Sequence, residues 1–93
     1  MIAFESQVDL HEYGKISFAQ LEFRIDQFLE LSYQEKLSPI LIITGKGRGI
    51  LKTNTLKILK NHKRIDKLQT PCWGQGDEGA IAVWLLARRA FPS

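Results

Sequence analysis

Cysteine and histidine are scarce in this chain of 93 residues, which has one cysteine and two histidines. The single Cys72 cannot form an internal disulfide, which agrees with a reducing compartment. One cysteine with His11 and His62 also falls short of the ligands that a structural zinc site needs. The composition therefore argues against a disulfide-stabilised scaffold and against a zinc-binding module.

Long apolar runs are missing as well. No segment approaches the ~20 apolar residues that span a bilayer, and the opening MIAFESQ lacks the basic-then-apolar order of a signal peptide. A hydrophobic content of 44% is still enough for one ordinary core. We therefore expect residues 1–93 to form a single soluble, cytoplasmic domain.

Positive charge is modest in total but clustered in position. The net charge is +3 and the sequence pI is near 9.2. The segment 46–67 holds eight lysines and arginines and a single acid, Asp66. Such a cluster can be the solvated face of a helix, but its start in a glycine-rich turn favours an anion-binding surface.

The hydrophobic pattern predicts the element order βαβαββ. VDLH at 8–11 alternates like a strand, and Ser17 with Gln20 forms the S-x-x-Q pattern that opens a helix. An apolar stripe at helical spacing follows, made of Phe18, Leu21, Ile25, Phe28 and Leu29. Leu37-Ser38-Pro39 breaks this helix before a buried strand, ILII, at 40–43.

The second half of the chain completes the pattern. A helix at 50–62 should turn Leu51, Thr55, Ile58 and Leu59 inwards and Lys52, Lys57 and Lys60 outwards. Strands are predicted at 65–70 and 80–86, with a loop at 71–79 between them. This order predicts an α/β domain with a mixed sheet whose first strands are parallel and whose last pair is a hairpin.

The turn in LIITGKGRGILK, residues 41–52, has the features of an anion site. Gly45, Gly47 and Gly49 let the backbone approach an anion at the start of a helix, and Lys46 and Arg48 add charge. A nucleotide is excluded by spacing, because Leu51 stands where a Walker A loop needs glycine before Lys52. The alternative is that the glycines only form a tight turn and bind no anion.

Asp9 and His11 are the candidate acid–base pair. Two positions apart on a strand, their side chains would leave the same face with Cα atoms about 6.5–7 Å apart. A carboxylate can orient an imidazole and select its tautomer, which suits His11 to proton transfer. If strands one and two are parallel neighbours, this pair lies close to the glycine turn. The alternative is a surface salt bridge.

Two other side chains receive simpler interpretations. His62 lies near the end of the second helix, where a histidine commonly interacts with free carbonyls, and we give it no catalytic role. Trp73, in the glycine-rich loop, either packs in the protein or stacks on a base.

Three segments together resemble the small MutS-related (Smr) domain family. VDLHEY resembles its L-D-L-H-G opening, and LIITGKGRGIL resembles its second signature, H-G-x-G or T-G-x-G. GDEGAIAVWL is similar to its closing segment, so the match runs from about Val8 to Leu86. The resemblance implies a two-layer α/β sandwich with a mixed four-stranded sheet, like the C-terminal domain of translation initiation factor three.

The resemblance also implies endonuclease activity on DNA or RNA. Its acid–histidine pair maps to Asp9 and His11, and its phosphate-contacting turn maps to Gly45, Lys46 and Gly47. Two residues depart from the family pattern: Glu12 replaces a glycine, and Thr44 stands where many members carry a second histidine. The full set of predicted phosphate-binding residues is Thr44, Gly45, Lys46, Gly47, Arg48, Gly49 and Lys52.

Two functions remain open from the sequence. One is a nuclease in which attack by a ribose 2′-hydroxyl needs no metal, whereas attack by water could use Mg²⁺ or Mn²⁺ on Asp9 with Glu12. The other is a module that binds branched or structured nucleic acid without cutting it, on behalf of a fused or partner protein. The sequence does not choose between DNA and RNA, and it leaves open whether a longer protein contains these residues.

Overall fold

The protein forms a mixed four-stranded sheet with two α-helices. The computed structural model describes residues 3–13, 15–45, 50–69 and 79–86. The predictions for Lys46, Gly47, Arg48, Gly49, Thr70 and the segment 71–78 with Trp73 lie outside these described residues. The elements are β1 (Ser6–Asp9), a 3-10 helix (Leu10–Tyr13), α1 (Phe18–Gln34), β2 (Ile40–Ile43), α2 (Ile50–Lys60), β3 (Ile65–Gln69) and β4 (Ala80–Leu85).

The strand order in the sheet is β1-β2-β4-β3. β1 pairs with β2 in parallel, and β4 runs antiparallel to both β2 and β3. The predicted order βαβαββ, the parallel first pair and the closing antiparallel pair are therefore confirmed. β1 was predicted at 8–11 but lies at Ser6–Asp9, because the chain turns into the 3-10 helix at Leu10.

The main core lies between one face of the sheet and the two helices. It joins Leu21, Ile25 and Leu29 of α1 and Ile58 and Leu59 of α2 to Ile40, Ile42, Ile81, Val83 and Leu85 of the strands. Alternate strand residues, Leu41, Ala80 and Ala82, are buried on the opposite face with Phe4, Ile43 and Trp84. Both faces of β2 and β4 are thus covered, which explains their continuous apolar sequences.

Helix α1 begins where the capping pattern predicts. The hydroxyl of Ser17 accepts a hydrogen bond from the backbone N–H of Gln20 at 3.2 Å. Leu21, Ile25 and Leu29 are buried and Phe28 packs against the core, as expected from the stripe. Phe18 is an exception, since it is 45% exposed in the first turn while Ile16, before the cap, packs against the core instead.

Helix α1 ends in a Schellman motif that places a lysine in the left-handed region. Leu37 N–H donates to Ser32 O at 2.9 Å, and Lys36 N–H donates to Tyr33 O at 3.1 Å. Lys36 has a φ of 59°, a conformation that glycine adopts without the steric cost of a Cβ. The motif ends the helix just before Ser38 and Pro39, where the sequence predicts the break.

Replacing Lys36 by glycine should stabilise the protein. The change removes the Cβ penalty at φ 59° and loosens the unfolded chain, which leaves a net gain of about 0.5–1 kcal/mol in the free energy of unfolding. Urea titration of Lys36→Gly beside Lys36→Ala measures it, because alanine loses the same charge but keeps the Cβ. Equal midpoints for the two variants would contradict the explanation.

Candidate functional site

Three strand ends meet at one edge of the sheet. Asp9, the last residue of β1, pairs with Ile43, the last residue of β2, and Ile43 pairs with Ala80, the first residue of β4. The chain therefore leaves β1 and β2 and enters β4 in the same row. This topology brings together the Asp9–His11 segment, the turn after Ile43 and Gly79, which directly precedes β4.

Asp9 and His11 form a pair, although not in the way the sequence predicts. The prediction that both lie on one face of a strand is wrong, because His11 belongs to the 3-10 helix. Asp9 Oδ1 instead accepts the backbone N–H of His11 at 3.1 Å and contacts His11 Nδ1 at 2.6 Å. An aspartate commonly bonds the backbone two residues ahead of it in a turn. The side chains are 26% and 61% exposed, respectively, so solvent reaches both.

The contact with Asp9 determines how the imidazole can act. An ionised carboxylate only accepts hydrogen bonds, so the proton of a neutral His11 ring lies on Nδ1. Nε2 is then the basic nitrogen of the ring. Because Asp9 Oδ1 holds both the backbone and the ring of His11, the imidazole is oriented by its own turn.

Gly45 lies directly against His11. Its φ of +80° is in the region that favours glycine. A Cβ placed on Gly45 would lie 3.3 Å from the Cβ and 3.5 Å from the Cγ of His11, so the space that a side chain would need is filled by the histidine. Gly45, the first glycine of the turn, and the Asp9–His11 pair are therefore neighbours in the fold.

Thr44 and Gly45 are bonded to Gly79. The backbone N–H groups of Thr44 and Gly45 donate to Gly79 O at 2.7 and 3.1 Å, and the Thr44 hydroxyl donates to the same oxygen at 3.3 Å. Thr44 is 4% exposed. The Thr44 side chain and the Gly45 amide, both predicted to face an anion, are thus engaged inside the protein.

The other predicted phosphate-binding residues follow Gly45. Lys46, Gly47, Arg48 and Gly49 lie outside the described residues. Lys52 is half-buried as the third residue of α2, where backbone N–H groups lack helical partners. Beyond it, Lys57, Lys60, Lys63 and Lys67 are exposed. These four lysines of the basic cluster are therefore solvated, whereas Arg64 is half-buried and pairs with Glu30.

Gly79 is a site residue that the sequence analysis missed. Its glycine-rich surroundings predict a loop, and nothing local indicates that its carbonyl accepts hydrogen bonds from residues 44 and 45. The signal available was a glycine immediately before a strand that is apolar on both faces. That signal is meaningful only with the strand order, because β4 lies next to β2 in the sheet but far from it in the sequence.

His62 belongs to a second polar cluster, which braces α1 against the segment after α2. Its ring contacts carboxylates rather than the helix-end carbonyls that we predicted: Nε2 lies 2.9 Å from Asp26 Oδ1 and 3.9 Å from Glu30 Oε2. Arg64 Nε donates to Glu30 at 3.1 Å, and the guanidinium lies 4.1 Å from the ring centroid of Tyr33. The hydrogen bond that Arg64 donates to Glu30 raises the pKa of Arg64 above its usual value.

The spacing of the ligand atoms in this second cluster suits a metal ion, but the position of the ring proton on His62 does not. Ligand atoms of Asp26, Glu30 and His62 lie within 4.8 Å of one another. However, the backbone N–H of Arg64 donates to His62 Nδ1 at 3.1 Å, so the proton of a neutral ring lies on Nε2, facing Asp26. A cation there would have to displace that proton. The cluster is better explained as a network of ion pairs and hydrogen bonds.

The prediction of a divalent metal on Asp9 with Glu12 stays a prediction, because the Glu12 side chain lies outside the described part of the structure. Asp9 and His11 belong to no group of three histidine, cysteine, aspartate or glutamate side chains close enough to hold an ion, within the part of the chain that the structure describes. Glu12, the second ligand suggested by the sequence, lies in the 3-10 helix.

None of the helices in the described part of the chain could span a bilayer.

Comparison with known proteins identifies the family. The family model of the Smr domain matches residues 8–86. The chain is 30% identical over 81 residues to endonuclease MutS2 of Clostridium botulinum (strain ATCC 19397 / Type A), covering 87% of this chain and 10% of the relative. Against endonuclease MutS2 of C. botulinum (strain Eklund 17B / Type B) it is 33% identical over 63 residues, covering 68% and 8%. The chain thus spans about a tenth of the length of the curated relatives it matches.

Solved structures agree with this assignment. The crystal structure of the Smr domain of Thermus thermophilus MutS2 superposes with a TM-score of 0.76 at 28% identity, covering 87% of this chain and 98% of that one. YdaL, a stand-alone small MutS-related protein from Escherichia coli, shares the fold with a TM-score of 0.73 at 21% identity, covering 87% of this chain and 64% of that one. The chain belongs to the Smr domain family.

Proposed function

We propose that this domain binds nucleic acid and cleaves its phosphodiester bonds as an endonuclease. The observation that carries the proposal is the contact between two motifs: His11, oriented by Asp9, lies against Gly45 at the start of the glycine-rich turn. An acid–base group beside an anion-binding turn is a combination that can catalyse phosphodiester cleavage. The similar MutS2 proteins carry the name endonuclease, which agrees with this proposal.

The phosphate would be held by the segment that follows Gly45. The amide of Gly45 donates to Gly79, so the donors assigned to the phosphate are the amides of residues 46–49, those of the first turn of α2, and the side chains of Lys46, Arg48 and Lys52. The N-terminus of a helix favours negative charge because its N–H groups lack partners and its dipole is positive there. The rest of the basic surface would follow the backbone of the bound strand.

His11 would transfer the proton. Because Asp9 holds Nδ1, Nε2 is the nitrogen that takes the proton from the attacking hydroxyl or water. The oxygen of the attacking group forms a bond to phosphorus, and the bond between phosphorus and the leaving oxygen breaks. The leaving oxygen then receives a proton from the imidazolium or from solvent. A ribose 2′-hydroxyl as attacker leaves a 2′,3′-cyclic phosphate and a 5′-hydroxyl. Water as attacker leaves a phosphate monoester and a hydroxyl, on RNA or DNA.

Replacement of His11 should abolish cleavage while leaving binding largely intact. Loss of a positioned acid–base group costs about 10²–10⁴-fold in rate. End-labelled single-stranded RNA, stem-loop RNA and supercoiled DNA, each with EDTA, Mg²⁺ or Mn²⁺, give the cleavage rate for wild type and His11→Ala. Gel shifts of the same substrates give the binding. His62→Gln is the matched control, because it removes the other histidine, which contacts Asp26 of α1 and has no part in the proposed mechanism.

The products of this assay identify the chemistry. Cleavage of RNA in EDTA with cyclic phosphate ends means attack by the 2′-hydroxyl, whereas metal-dependent nicking of DNA means attack by water. Equal loss of binding and cleavage in His11→Ala, or equal loss of cleavage in His62→Gln, would contradict the role of His11 in proton transfer.

Replacement of Lys52 should weaken binding in a salt-dependent way. If Lys52 neutralises a phosphate, Lys52→Ala makes the negative slope of log K against log salt shallower by about one unit or less. Binding of a labelled oligonucleotide measured at several salt concentrations gives the slope. Lys36→Gly loses the same charge at the end of α1 and should keep the wild-type slope. An unchanged slope for Lys52→Ala would remove that residue from the phosphate.

A second candidate function is binding without cleavage. The observation in its favour is that Thr44, at a position where many members of the family carry a histidine, is buried and supplies no second acid–base group. On this alternative the domain recognises branched or structured nucleic acid for a fused or partner protein. Binding of the three substrates with no cleavage under any metal condition, and no effect of His11→Ala, would select it.

A further inference from the structure

The carbonyl of Gly79 is the acceptor on which the turn after β2 depends. Three donors converge on this one oxygen: the N–H groups of Thr44 and Gly45 and the hydroxyl of Thr44. Thr44 and Gly45 lie beyond β2, which ends at Ile43. The hydrogen bonds to Gly79, which lies more than thirty residues later in the chain, therefore fix the direction in which the chain leaves β2.

Position 79 has no room for a side chain. A Cβ on Gly79 would lie 3.0 Å from Gly45 C and 3.2 Å from both Gly45 Cα and Gly45 O. All three are backbone atoms, so they cannot rotate aside as the end of a flexible side chain would. Any side chain at this position has to move Gly45, its own strand, or both.

A displacement of Gly45 reaches the imidazole. Gly45 itself lies between Gly79 and His11, with the Cβ position of Gly45 3.3 Å from His11 Cβ. Gly79 thus packs against Gly45, and Gly45 packs against His11. Since Asp9 holds His11 through a turn of its own, movement of Gly45 changes the relation between the imidazole and the phosphate turn rather than moving both together.

We propose that Gly79 is a positioning residue of the site: it places the phosphate turn at a set distance from His11. The inference rests on the proposed function, for which it names a further residue. Gly79 touches neither substrate nor reacting atoms in this scheme, and it acts through Gly45.

Addition of one methyl group at position 79 tests the inference. In Gly79→Ala the turn shifts by a few tenths of an ångström relative to His11, and the cleavage rate falls about 10–100-fold because reacting groups tolerate little misplacement. The Kd for an oligonucleotide stays within about threefold, because cations of α2 supply most of the affinity. Ala82→Gly is the matched control: it weakens β4 at a buried position paired with Leu41, without contacting Gly45 in the sheet register.

A second readout needs no cleavage. In NMR spectra the His11 ring protons and the Gly45 amide should shift in Gly79→Ala and stay near their wild-type positions in Ala82→Gly. If the wild-type domain cuts nothing, the proposed function fails while this readout still decides the inference about Gly79. Wild-type His11 signals in a folded Gly79→Ala protein overturn it, whatever the cleavage rate. A cleavage loss of the same size in Ala82→Gly overturns it too.

A smaller change covers the case in which Gly79→Ala does not fold. Thr44→Val removes the hydroxyl donor to Gly79 O and keeps both backbone hydrogen bonds. A several-fold loss of cleavage together with shifted His11 ring signals supports the inference. Unchanged cleavage and unchanged His11 signals in this variant overturn it.

Discussion

The register of the parallel pair β1–β2 is the constraint on which the site depends. Val8 pairs with Ile42 and packs against the core, and the next pair, Asp9 with Ile43, turns to the opposite face. A slip of one residue would exchange the two faces and bury the aspartate under the helices. The hydrophobic core therefore locates Asp9 at the end of its strand, and Asp9 locates His11 by hydrogen bonds within the turn.

Much of the fold was predictable because its signals are local. The cap at Ser17, the apolar run 40–43 and the buried face of α2 each depend on a few neighbouring residues. The first strand was misplaced because Val8 and Leu10 alternate as strand residues do. Leu10 is indeed fully buried, but it reaches the core from a 3-10 helix. Alternating apolar residues indicate which side chains are buried. They do not distinguish a continuous strand from a strand followed by a 3-10 helix, because both can bury the same residues.

The site was predictable in part for the same reason. Asp9, His11 and Gly45 belong to short motifs, and the parallel order of two strands was enough to expect them together. Gly79 was not predictable, because its importance lies in a carbonyl oxygen, which every residue has, and in a contact with residues more than thirty positions away. The partners of His62 were not predictable for the same reason, because Asp26 and Glu30 lie in α1, more than thirty positions away in the chain.

The contact of Gly79 with Gly45 makes the candidate site discontinuous in the chain. A fragment that ends before β4 would carry every residue predicted for the site, from Asp9 to Lys52, but it would lack the acceptor that holds the turn and the strand beside β2. Grafting the glycine-rich turn onto another scaffold would meet the same difficulty. A transferred site would need all three segments that meet at this edge of the sheet: the end of β1, the turn after β2 and the start of β4. These segments span most of the chain, so the smallest unit that could be transferred is nearly the whole domain.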